Sequence, residues 1–330
     1  MKLATLNDGS RDGQLVVVSR DLASAHYATG IAEHLQQLLE DWNFISPQLQ
    51  DLSEALNHGK ARHAFVFDPQ QCLAPLPRAY LMAVSDAYPN PTAQQTAGKI
   101  GSSAASACLH LGFADALLGP RAPLTCAHAA QHPDFAASVA VITGDLPQGA
   151  TPAQALDAVR LLALASHTHF RAWQDQPALA LMAAPCTAFS PVAVTPDELV
   201  WAGDSAWAQG RLGLTLQCNV NGRKFGRCDA GRDMRAHFGE LMAQLCQTRR
   251  LRAGSIVSSG EVRQLAAPAA CSSIASRRAL DAAQSGFAIT PWLAQGDNVT
   301  IDMNGPDGRS VFGAIDQDVQ IGPQAALSTV

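Results

Sequence analysis

Short runs of aliphatic and β-branched residues recur along the chain, separated by breaks rich in glycine and proline. Leu15 to Ser19 is one such run and predicts a strand. Ile31 to Trp42 carries its apolar residues at helical spacing. Asp51 and Glu54 make a capping-box pattern ahead of Leu56. The sequence Leu-Ala-Pro-Leu-Pro-Arg at 73–78 then interrupts the pattern. We therefore expect a small N-terminal α/β domain over residues 1–76 and a larger domain over residues 77–330. Beyond the break the pattern is mainly β. Phe135 to Thr143 predicts a buried strand, and Thr187 to Val194 another. Thr151-Pro-Ala-Gln154 is a capping box with proline at the first helical position, and predicts a helix to about Ser166. Leu212 to Val220 and Arg223 to Arg227 flank Asn221-Gly222, a pair suited to the positive φ angles of a two-residue hairpin turn. Arg235 to Arg249 predicts a helix with Phe238, Leu241, Met242 and Leu245 on one face. A second hairpin is expected from Asn298–Met303 and Arg309–Ile315.

Composition narrows the class. Apolar residues make up 47% of the 330 and charged residues 15%, enough to fill a core and to exclude a disordered chain. The net charge is -5 and no basic stripe is present, which argues against nucleic acid as a partner. No run approaches the roughly 20 apolar residues of a membrane span. No apolar run follows the N-terminal charge, so a cytoplasmic protein is expected. The eight cysteines are scattered without a Cys-x-x-Cys pair, and reduced, partly buried thiols are expected.

The densest polar cluster is Ser166-His-Thr-His-Phe-Arg171, with Gln174 beyond it. In extended chain, His167, His169 and Arg171 share one face, where imidazoles could bind zinc or copper or act as a general base. The alternative is a polar loop at a helix end. Cys126, His128 and His132 form a second candidate ligand set, and Asp204 and Asp229 read as turn residues. These residues alone define an α+β protein without defining a reaction.

A resemblance adds more. Met1 to Ser19, Ala61-Arg-His-Ala64 and Ala74-Pro-Leu-Pro-Arg-Ala79 resemble bacterial fumarylacetoacetate hydrolases. So do Val139-Ala-Val-Ile-Thr-Gly-Asp145, the run Thr187 to Leu199, Asn221-Gly-Arg-Lys224 and Cys228-Asp-Ala-Gly231. Arg252-Ala-Gly-Ser-Ile-Val257 and Phe312-Gly-Ala-Ile315 complete the set. The resemblance implies an α+β fold: a small N-terminal α/β domain, a C-terminal mixed β-roll and a homodimer. It also implies cleavage of a carbon–carbon bond in an acylpyruvate-like substrate. There a divalent ion (Mg²⁺, Mn²⁺ or Ca²⁺), held by four acidic side chains, polarises the dicarbonyl. A His–Glu pair activates water and a Lys holds the developing anion.

The sequence departs from that pattern at each of these places. Val84 stands where the resemblance puts the first metal Asp, Ala136 and Ser138 replace a Glu-x-Glu pair, and His167 replaces the fourth acidic ligand. Pro91 occupies the catalytic His position, Ala184 the Lys and Ser276 the Glu partner, while a Gly-Thr turn reads Gly260-Glu261. No cofactor is therefore expected. Three readings follow. The first is a metal-free enzyme acting on a small anionic carbonyl compound through His167, Arg171, Gln174, Tyr88 and His169, of tautomerase, dehydratase, cyclase or decarboxylase type. The second is an inactive paralogue that binds a ligand or partner. The third is a hydrolase with a rebuilt histidine-based metal site.

Overall fold

The computed structural model describes residues 1–89, 107–264 and 270–322. Strands β1 (Lys2–Leu6), β2 (Gln14–Val18), β3 (Ser24–Tyr27) and β4 (Phe65–Val66) frame helices α1 (Leu35–Glu40) and α2 (Trp42–Asn57). Next come β5 (Met82–Ser85), β6 (Leu109–Gly112), β7 (Leu124–Cys126), β8 (Pro133–Thr143), α3 (Pro152–Asp157), β9 (Val159–Phe170) and the single turn α4 (Arg171–Gln174). Strands β10 (Thr187–Phe189) and β11 (Ala193–Val194) precede two small ribbons, β12 (Val200–Trp201) with β13 (Asp204–Ser205) and β14 (Trp207–Ala208) with β15 (Arg211–Leu212). The chain continues through β16 (Thr215–Val220), β17 (Arg223–Asp229), α5 (Phe238–Cys246), β18 (Ile256–Ser258), α6 (Ile274–Ser285), β19 (Asn298–Met303) and β20 (Ile315–Ile321).

Among the described residues, one sheet of 11 strands runs β4-β3-β2-β1-β11-β9-β8-β18-β5-β6, with β10 also on β9. The second sheet runs β17-β16-β19-β20-β7. Strands β8 and β9 form the longest ladder, registered from Pro133 opposite Phe170 to Thr143 opposite Val159. One face of it, through Phe135, Val139, Val141, Leu162 and Leu164, packs in a core with Leu216, Ile301 and Met242. The other face, through Ala140, Ala163 and Ala165, joins a core with Leu35, Leu38 and Leu49 of the N-terminal helices. Buried on both faces, these strands read as continuous apolar runs with little alternation.

Several sequence expectations hold. Leu15 to Ser19 and Phe135 to Thr143 lie within β2 and β8 but for Ser19, and Asn221-Gly222 turns the β16–β17 hairpin with φ of 52° and 71°. Others need correction. The capping box at Thr151 and Gln154 forms, but α3 stops at Asp157 and Val159 to Phe170 is a strand. Pairing with β8 overrides the helical preference of this Ala- and Leu-rich segment. Asp51 and Glu54 fall inside α2, because its apolar face through Ile45, Leu49 and Leu56 runs past them. Helix α1 is only Leu35–Glu40, and Trp42 opens α2 instead of ending the first helix. The predicted helix over 235–249 spans only Phe238–Cys246, where His237 accepts from the Gly239 and Glu240 amides as N-cap. The partner of β19 is β20, not Arg309–Ile315, since the turn after β19 is closed by an Asn304–Ser310 bridge. Thr187 to Val194 divides into β10 and β11.

Gly260 has φ of +70°, and a Cβ there would meet the Ser85 carbonyl oxygen at 1.7 Å. Gly222 has φ of +71° with open space around it. Urea denaturation is therefore expected to show Gly222→Ala costing about 1 kcal/mol and Gly260→Ala costing more, about 2 to 4 kcal/mol. Equal losses would contradict the close approach.

Candidate functional site

The β9 segment that holds the histidines is extended, so the expectation of one shared face for His167 and His169 is met and the loop alternative is not. Antiparallel pairing puts Ala136 opposite His167 and Asp134 opposite His169. The same sheet face therefore changes from apolar at Ala163 and Ala165 to polar at its far end.

His167 lies in a closed chain of hydroxyls. Its Nδ1 is 2.9 Å from Thr187 Oγ1, and its Nε2 is 3.0 Å from Ser138 Oγ and 2.8 Å from Ser258 Oγ. The Ser258 hydroxyl donates to Ser138 Oγ at 3.0 Å and accepts from the Gly260 amide at 3.1 Å. One donor order runs through the group, from Gly260 N–H to Ser258, Ser258 to Ser138 and Ser138 to Nε2, with Nδ1–H to Thr187; Ser258 Oγ then lies beside Nε2 without donating to it. Val84, on β5, is in register with Ser258 on β18. Val84, Ala136, Ser138 and His167 thus converge on one buried spot. Burial, and secondarily the charge of His110, pulls the His167 pKa down to about 3, so the ring is neutral at physiological pH.

A charged group borders this neutral cluster. Arg171 Nε donates to Asp134 Oδ2 at 2.8 Å, and Arg171 Nη1 donates to Gln174 Oε1 at 3.0 Å. Asp134 is fully buried, and its carboxylate accepts from the Ile274 and Ala275 amides at the start of α6, at 2.7 and 3.1 Å. Burial raises its pKa and Arg171 opposes the rise. Arg171 Nη2 is buried and has no hydrogen-bond partner among the described residues. Beyond it, Glu261 Oε1 accepts from Ser273 at 2.6 Å and from Ser276, while Oε2 is paired with Arg263. Burial pushes the Glu261 carboxyl up, but Arg263 and Arg171 outweigh it and hold the group below its ordinary range. His169 is depressed far below the usual imidazole value, by burial and then by the positive charge of Arg171.

The structure therefore brings together His167, His169, Arg171 and Gln174, with Ser138, Ala136 and Val84. Ser276 joins the group through Glu261. Tyr88 belongs to the scaffold: it is buried, its hydroxyl donates to the Ala230 carbonyl at 2.5 Å, and burial raises its pKa. Ala184 follows the short turn Ala180–Ala183. Pro91 lies outside the described residues. Cys126, His128 and His132 do not form a ligand set. The Cys126 thiol donates to the His128 carbonyl and Gln131 Oε1, and the His132 ring stacks on Trp292. Among the described residues no group of three or more His, Cys, Asp or Glu is placed to hold a metal ion. Sequence reasoning missed Asp134, Thr187, Ser258, Glu261 and Arg263. Asp134 was accessible from strand periodicity once 159–170 is read as a strand; the others come from distant segments.

Comparison with known proteins fits this architecture. Residues 1–78 match the family described as Fumarylacetoacetase N-terminal domain 2, and residues 81–320 match Fumarylacetoacetate (FAA) hydrolase C-terminal. The chain belongs to the fumarylacetoacetate hydrolase family. Solved structures that share its fold include the following three. Fumarylacetoacetate hydrolase from Exiguobacterium antarcticum is 16% identical with a TM-score of 0.67, over 97% of this chain and 99% of that one. Maleylpyruvate hydrolase from Sphingobium sp. SYK-6, in complex with manganese (II) ion and pyruvate, is 17% identical with a TM-score of 0.64, over 98% and 100%. The 5-carboxymethyl-2-hydroxymuconate delta-isomerase from Mycobacterium smegmatis is 13% identical with a TM-score of 0.62, over 98% and 100%. No curated protein matches.

Divalent metals are general in this family, so the residues at the four convergent positions bear directly on whether one fits here. Hard divalent ions take anionic and carbonyl oxygens. Val84 and Ala136 supply no donor atom, Ser138 is neutral, and both nitrogens of His167 are engaged by hydroxyls. This donor set does not fit a hard divalent ion.

His167 also gives the site a pH signature. Its folded pKa is about 3 against an ordinary 6.5, so between those values the unfolded chain binds the extra proton. The stability it contributes is complete above pH 6.5 and is lost as pH falls toward 3. The slope is up to about 1.4 kcal/mol per unit. Urea unfolding between pH 7 and pH 4.5 should give a shallower loss for His167→Gln than for the native chain, by about one proton. Parallel slopes would contradict this assignment.

Proposed function

We propose that this chain binds a small anionic carbonyl compound at the family site without a divalent ion, and has lost metal-dependent carbon–carbon hydrolysis. The observation that carries the reading is the closed hydroxyl–imidazole chain at Val84, Ala136, Ser138 and His167. Loss of the ion removes several kcal/mol of charge stabilisation, on the order of the Lewis-acid contribution itself. Loss of the base removes a further factor of roughly 10² to 10⁴. Arg171 supports the ligand side of the proposal. Asp134 and Gln174 fix its guanidinium, and Nη2 has no acceptor among the described residues, a place that a carboxylate or enolate oxygen would fill.

A second reading, metal-free proton-transfer chemistry of the tautomerase type, is favoured by the continuity of the donor chain from Gly260 to Thr187. It ranks second because an imidazole titrating at about 3 is a weak base near neutral pH.

Calorimetric titration with acetylpyruvate tests the proposal. The expected dissociation constant is the same in EDTA and in excess Mn²⁺, and Arg171→Ala weakens binding at least tenfold, roughly the worth of one charge-assisted bond. Binding that requires Mn²⁺, or Mn²⁺-dependent loss of the enol absorbance, would overturn it. Turnover without added metal would promote the second reading.

A further inference from the structure

Lys2 opens β1, and its side chain is 5% exposed. Its Nζ donates to the Val311 carbonyl at 2.6 Å. Lys2 is also one of the residues that line a cavity of about 310 Å³ whose walls include Arg20, Asp197, Glu198, Trp201, Asp307 and Arg309. No wall residue belongs to the His167–Arg171 cluster. The volume falls at the small end of the range for ligand pockets. Charge is mixed around it: two guanidiniums and three carboxylates, Asp197, Glu198 and Asp307, line the cavity with Lys2 and one indole.

Burial pulls Lys2 down to about 8, against Glu198, Asp307 and Asp21, while Arg20 adds to the lowering. Roughly a quarter of the amine is then neutral at pH 7.5, against about one part in a thousand for an ordinary lysine. A partly neutral amine beside an open volume is the arrangement that lets lysine attack carbonyl carbon.

We propose that Lys2 is a carbonyl-capture site, which takes a small aldehyde or 2-oxo acid bearing a carboxylate as a Schiff base. The Nζ lone pair adds to the carbonyl carbon and gives a carbinolamine. That intermediate loses its oxygen as water, with both amine protons leaving in the water, and a C=N bond replaces C=O. Protonation from solvent gives an iminium cation, which Glu198 and Asp307 stabilise. Arg309 takes the ligand carboxylate, because Arg20 Nε already donates to both Glu198 oxygens, at 3.3 and 3.2 Å. The mixed charge of the cavity thus complements a carboxylate–iminium pair. The neighbouring Met1 α-amine is bound to Thr195 Oγ1, Asp197 and Glu198, whereas Lys2 Nζ donates to a backbone carbonyl.

The chain has four lysines, Lys2, Lys60, Lys99 and Lys224, so the test is simple to read. Native protein is treated at pH 7.5 with glyoxylate and cyanoborohydride, and the label is located by fragment-ion mass spectrometry. Lys2 should be labelled at least tenfold faster than the exposed Lys60 and Lys224, with a rate that reaches half its maximum near pH 8. Arg309→Ala should lower the preference of Lys2 for glyoxylate over formaldehyde at least threefold. Labelling of Lys2 less than tenfold faster than Lys60 and Lys224, or label confined to the Met1 amine, would overturn the capture site. An unchanged preference in Arg309→Ala would overturn the carboxylate assignment.

Discussion

The antiparallel pairing of β8 with β9 is the constraint on which the rest of this structure depends. It fixes which residues share a face, and a shift of one position would exchange that whole set for the opposite one. In the observed register, Ala140, Ala163 and Ala165 pack toward the N-terminal helices while Asp134, Ser138, His167 and His169 gather at the far end. Strand β18 adds Ser258 from the side, and β10 adds Thr187 opposite His167. A site assembled from strands in this way is rigid because its side chains are positioned by ladders, not by loops.

Charge is distributed within that frame in a definite way. The centre is neutral: a hydroxyl chain ends on an imidazole that burial keeps unprotonated. The border is charged, and each buried carboxylate has partners. Asp134 is held by Arg171 and by two amides of α6, and Glu261 by Arg263 and two serine hydroxyls. Removing one partner of such a pair leaves an uncompensated buried charge, at a cost of about 3 to 5 kcal/mol. The border is therefore fixed for structural reasons. Within it, Arg171 Nη2 is a buried donor without an acceptor among the described residues.

Much of this was legible in the sequence. The strand at Phe135 to Thr143, the Asn221-Gly222 hairpin and the capping box at Thr151 follow from local rules, and so does the shared face of His167 and His169. The fold class followed from the long motif runs, and the family comparison agrees with it. What stayed hidden has a common cause. The segment Val159–Phe170 is rich in Ala and Leu and follows a true helix start, so local preference pointed to helix while pairing with β8 decided otherwise. Ser258 and Thr187 lie 91 and 20 residues from His167, and only the sheet brings them to it. Periodicity places Asp134 on the face of His169 once β9 is read as a strand, but two of its partners are amides 140 and 141 residues away and have no local signature.

The central claim, that the site no longer suits a hard divalent ion, is tested most directly by titrating the protein into Mn²⁺ and following the electron paramagnetic resonance signal of the free ion. The account predicts that the free-ion signal keeps its full intensity at protein concentrations of hundreds of micromolar. Loss of one equivalent of signal per chain, abolished by His167→Ala, would contradict it.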